Sequence, residues 1–132
     1  MSRRILALCL CLITMPAVHA ELPPGSYDKL RREADEAVIL HITSVSIRAN
    51  GTYKEVTIQA QIVRVGRSLS GLERGDAITV KYEVSTVPFP GPRPVPILRK
   101  NEVYPAFLNK SGNSYVPAAF GESFNSKPET PR

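Results

Sequence analysis

The sequence predicts a mainly β protein, a small five-stranded antiparallel Greek-key barrel with one short N-terminal helix. Three observations carry this. Past residue 37 the apolar residues recur with a period of two and are rich in β-branched types. Turn residues such as Asn50-Gly51 and Ser111-Gly112-Asn113 interrupt these runs at short intervals. Only one helix-like stretch occurs, ahead of the first strand, so the helix–strand rhythm of an α/β fold is missing. The 132 residues allow one domain and exclude a multidomain enzyme.

The first 20 residues read as an export signal. Arg3 and Arg4 form a positive start, Ile5 to Ile13 is an apolar run, and Ala17-Val18-His19-Ala20 ends in a small residue suited to cleavage. Nine apolar residues are far short of the ~20 that cross a bilayer. Leu8 and Leu10 precede Cys9 and Cys11, where lipid attachment would need a small residue, so no membrane span or anchor is expected. Cleavage removes both cysteines. It also takes Arg3 and Arg4 from the 17 basic residues, leaving 15 against 12 acidic ones, a formal charge of +3. Thiolate catalysis, disulfides and cysteine zinc sites are thereby excluded from the expected product. A periplasmic or secreted location follows, with a domain over 21–124 and a polar, Pro-containing disordered tail over 125–132.

The domain's elements follow in order. Tyr27 to Ala37 is helix-like, with Ser26 or Asp28 as a cap and Leu30, Ala34 and Ala37 along one face. Val38 to Ile47 is the first strand, and Asn50-Gly51 marks a tight hairpin because both residues tolerate positive φ. The second strand, about Tyr53 to Val65, turns Val56, Ile58, Ala60 and Ile62 to one side, and its length requires a bend or bulge. Gly66 to Gly75 is a loop in which Leu69 and Leu72 plug the core. The third strand, Ala77 to Val84, alternates most clearly: Ile78, Val80, Tyr82 and Val84 face inward and Thr79, Lys81 and Glu83 face water. Proline at every second position from Pro88 to Pro96 removes the donors a sheet interior needs, and predicts an extended connection. Val103 to Asn109 and Ser114 to Ala118 supply the last two strands, separated by the Lys110 to Asn113 turn.

A long bent early strand among five favours a closed barrel of the OB-like kind. The succession Ala34-Asp35-Glu36-Ala37-Val38-Ile39-Leu40, Val56 to Val65, Gly75 to Tyr82, Val103 to Asn109 and Tyr115-Val116-Pro117 resembles exported bacterial OB-fold domains of the netrin-like and tissue-inhibitor-of-metalloproteinase superfamily. It covers roughly residues 34–120 and implies the fold. Those inhibitors act through a cysteine-containing N-terminus, which the expected product, starting at Glu21, lacks. The resemblance therefore transfers no functional residue.

Nothing in the chain predicts catalysis, a cofactor or a metal. His41 is the single histidine after residue 20, an ordinary half-buried strand residue without a set of companion ligands. The carboxylates Asp35, Glu36, Glu73, Asp76, Glu83 and Glu102 make no recognisable pair, and neither a Gly-x-Ser-x-Gly elbow nor a phosphate-cradling glycine loop occurs. A charge of +3 on an exported chain gives no reason to expect nucleic-acid binding. The reading is an exported, non-catalytic domain that binds an envelope or secreted protein, as an inhibitor, immunity factor or assembly component. Its expected site combines a barrel face with the Pro-rich loop, where Phe89 and Val95 give apolar contact and Arg93 a charge. The alternative is an anionic polysaccharide or other envelope polymer held by Arg64, Arg67, Lys81, Arg99 and Lys100.

Overall fold

The computed structural model describes residues 22–88 and 90–125. The expected signal over 1–20, Phe89, and residues 126–132 of the expected tail lie outside them. The expected elements form: helix α1 (Ser26–Glu33), strands β1 (Glu36–Asn50), β2 (Tyr53–Ser68), β3 (Ala77–Ser85), β4 (Val103–Ser111) and β5 (Ser114–Pro117), then a 3-10 turn over Phe120–Glu122. The helix stops four residues before Ala37, because Glu36 is already the first residue of β1 and is fully buried. No side chain caps its start. Gly25 occupies the N-cap with φ 81°, and Asp28 pairs with Arg31 instead.

The strands close into a five-stranded OB-like barrel in the order β1-β2-β3-β5-β4, with β1 returning to β4. One junction departs from the expected antiparallel pattern: β3 meets β5 in parallel, through the single bridge Val80↔Tyr115. Parity requires this. Each antiparallel step reverses direction, so a closed ring of five strands must contain a parallel step. The shortest strand carries it.

The expected bend of the long strands arises from three register shifts between β1 and β2, which leave Gly66 and Val63 of β2 and Thr43 of β1 as extra residues. Each shift changes the phase of the alternation. Ile62 is 1% exposed, yet Val63 beside it is 39% exposed and Val65 packs back on the core. A side chain at Gly66 would press the Ala37 carbonyl at 3.0 Å, so the close approach at that bulge suits glycine.

The inner faces supply the core, with Leu40, Ile42, Ile58, Val80 and Leu108 fully buried. The connection after β3 closes one end. Leu98 is buried as a plug, which stabilises by about 1.5–3 kcal/mol, and two tyrosines hold its flanks. The Tyr82 hydroxyl donates to the Pro96 carbonyl (2.8 Å) and accepts from the Leu98 N–H (3.3 Å). The Tyr104 hydroxyl donates to Glu102 (2.5 Å) and accepts from the Arg99 N–H (3.1 Å). Burial raises both phenols above their ordinary value of 10.0; the Leu98 N–H opposes the shift at Tyr82, and Glu102 adds to it at Tyr104. Among the described residues no helix is long and apolar enough to cross a membrane.

Candidate functional site

The middle of the Pro-rich segment is tied to the rest of the protein around Arg93. Arg93 does not project as a charge anchor: its guanidinium pairs with Glu122 and lies 5.1 Å over the Tyr27 ring, while its N–H donates to the Tyr27 hydroxyl (2.8 Å). Glu122 is largely buried and also faces Arg31 at 3.8 Å. The Gly121 N–H donates to the Arg93 carbonyl, and a β-carbon on Gly121 would come within 2.6 Å of the Pro94 carbonyl. Val95 packs against the core rather than offering a contact. Of the expected apolar pair, Phe89 lies outside the described residues. Val87 and Pro88 at its start are exposed, as are Pro90, Pro94 and Pro96 further along.

The basic candidates do not converge either. Arg67 is spent on α1: its Nε and Nη2 donate to the Ala34 carbonyl and Nη2 also to that of Arg31, at 2.9–3.2 Å. A cation is well placed on those last carbonyls, where the helix dipole is negative. Lys81 shares its face of β3 with Glu83, and Glu83 stands directly opposite Glu55 of β2, so its surroundings are mixed in sign. Arg64 lines a shallow groove with Leu72, Glu73 and Arg74. Arg99 and Lys100 sit in the turn before β4. These five lie on three separate parts of the fold, β2, β3 and the turn before β4. Leu69, expected as a plug, is 79% exposed, because its N–H is held by the Asp35 carbonyl (2.9 Å) at the barrel rim; Leu72 does pack on the core. His41 is half-buried, opposite Gln61 and Val103, as its alternation implied.

What the structure exposes instead is the far end of the first three strands. β4 flanks β1 only from Glu36 to His41, whereas β1 and β2 pair on to their turn and β3 follows β2 to the Tyr53↔Ser85 pair. The hairpin turn there is Gly51-Thr52, with Asn50↔Tyr53 as the last pair and Gly51 at φ 61°. The expected turn is thus shifted by one residue: glycine alone takes positive φ, as in a type II′ turn, and Asn50 stays in the strand. Ile47, Tyr53 and Val87 gather at this end and are 49%, 47% and 50% exposed. Ile47 is on the core-facing side, opposite buried Val56, and Tyr53 is on the outer side. Ser85 ties the chain to this end by accepting from the Val87 N–H (3.3 Å) and donating to the Val87 carbonyl (2.7 Å), while the Thr86 N–H donates to the Thr52 carbonyl (2.8 Å).

Sequence patterning could not assign these three a role. Ile47 fits the buried face of an amphipathic strand and is left half-exposed where β4 no longer flanks β1, while Tyr53 lies on the outer face of β2. No protein-family model, curated protein or solved structure matches the chain.

Proposed function

We propose that the protein is an exported, non-catalytic domain that binds a protein partner, and that the overhanging end of β1–β3 is its working surface. The supporting observation is the grouping of Tyr53 and Val87 beside the Gly51-Thr52 turn, on a frame fixed by backbone hydrogen bonds. A large aromatic and an aliphatic side chain held half-exposed lose little ordering entropy on contact, and tyrosine is a frequent anchor of protein interfaces. The Pro-rich segment contributes through Val87 and Pro88, while its middle serves the fold. Sequence-level expectation of export agrees with this reading, and the resemblance to netrin-like domains enters only through the barrel shape.

The test is recovery of partners from envelope extract by the purified protein and by a Tyr53→Ala, Val87→Ala double variant. Loss of the recovered partner by at least tenfold, with little dependence on salt, supports the reading. Equal recovery contradicts it, and affinity that falls steeply with ionic strength would favour the anionic polymer instead.

A further inference from the structure

Among the described residues, no strand lies beside the outer edge of β1 past Ile42. Ile42 donates to the Glu102 carbonyl (2.9 Å) and accepts from the Asn101 N–H (2.8 Å), and these are the last backbone bonds on that side among the described residues. Ser44 to Asn50 then runs with β2 on one flank only, and every residue but Val45 is exposed. Because a two-residue turn closes on the hydrogen-bonded pair Asn50↔Tyr53, Arg48, Ser46 and Ser44 also turn their backbone groups to β2. Val45, Ile47 and Ala49 therefore turn theirs outward. Natural edges are shielded by lysine, proline, an intervening bulge or a cover. This stretch has no lysine and no proline, its bulge at Thr43 precedes it, and its one charge, Arg48, leans toward Glu55 (3.8 Å).

We propose that this edge pairs with the same edge of a second copy, antiparallel and centred on Ile47, joining the two three-stranded overhangs into one continuous sheet. The free stretch specifies the register. Centring on Ile47 sets Ser44 against Asn50, Val45 against Ala49, Ser46 against Arg48 and Ile47 against its own copy, so the whole unpaired segment is used. The outward residues then meet one another and exchange up to six hydrogen bonds. Centring on Arg48 would set two arginines directly opposite, which is unfavourable. Centring on Ser46 would oppose Ala49 to the bulged Thr43. Val45, Ile47 and Ala49 lie on the same side of the strand, so their apolar side chains form one ladder across the joint, and the half-exposed Ile47 gains its copy as a neighbour. This inference goes beyond the partner-binding reading and stands without it, since Tyr53 on the outer side of β2 and Val87 after β3 remain outside the pairing.

The test is sedimentation of the purified protein over a concentration series, with Ile47→Lys and Ile47→Glu variants alone and mixed. The wild type should approach twice the monomer mass at high concentration. Each variant alone should stay monomeric, because like charges face each other, and the equimolar mixture should regain the dimer. A wild type that remains monomeric throughout, as a strand from an unrelated protein as the occupant would require, overturns the proposal. So do single variants that dimerise like the wild type. Amide hydrogen exchange on the wild type supplies a readout independent of any variant's folding. Protection of Val45, Ile47 and Ala49 should rise at least tenfold with concentration while that of Ser44, Ser46 and Arg48 stays level, and absence of that alternation also contradicts the pairing.

Discussion

From Glu36 to His41, β1 lies between β2 and β4, and its inward residues Val38 and Leu40 are buried; from Ser44 to Asn50 the same strand has β2 as its one neighbouring strand among the described residues, and Ile47 is half-exposed. Apolar residues hold inward positions in both halves, Val38 and Leu40 in the first and Val45, Ile47 and Ala49 in the second. The difference is made by a strand about 60 residues later in the chain, β4, which begins at Val103 and so covers only the first half. Alternation records which face a side chain takes. Whether a neighbour exists is decided by lengths elsewhere, and an edge left over by that mismatch is available for a partner.

Several substitutions would break or sharpen this contrast. In the core, Ile58→Ala or Leu98→Ala removes a buried side chain and should cost about 2–5 kcal/mol in denaturant unfolding. Next comes the cluster that ties the Pro-rich segment down: Glu122→Ala leaves Arg31, whose side chain is 7% exposed, and Arg93 without their shared carboxylate. Breaking such a pair costs several kcal/mol when fully buried, and the partial exposure of Arg93 reduces the expected loss to about 2 kcal/mol. Urea midpoints would read it. Arg67→Ala frees the last carbonyls of α1 and should cost about 1 kcal/mol, with protection lost first at the helix amides.

Tyr82 offers a pH test. Its phenol sits above 10.0 in the folded protein, chiefly through burial, so the fold holds the neutral form. The linked stability is complete below about pH 10, the unfolded value, and is lost as pH rises through the higher folded value. Tyr82→Phe should therefore flatten the decline of stability above pH 10, measured by unfolding at several alkaline pH values. The smallest effect is expected in the overhang, where Ile47→Ala should change stability by no more than about 1 kcal/mol.

Much of the barrel was legible in sequence. Val56, Ile58, Ala60 and Ile62 alternate and are all buried, and Ile78 and Val80 behave alike. Bulges were anticipated from strand length, but their positions depend on how β1 and β2 twist together. The site was legible only as a region. Arg93 and Arg67 looked like surface cations because their partners, Glu122 29 residues away and Ala34 33 residues away, carry no periodic signal linking them. The prolines did mark an extended connector, yet Tyr27 and Gly121 decide that its middle packs inward.

Residue-resolved hydrogen exchange along β1 in dilute protein tests the division most directly. The Leu40 and Ile42 amides should exchange only through global unfolding, while the outward amides of Val45, Ile47 and Ala49 exchange orders of magnitude faster. Uniformly slow exchange from Leu40 to Ala49 would mean that the overhang is covered, and would contradict the account.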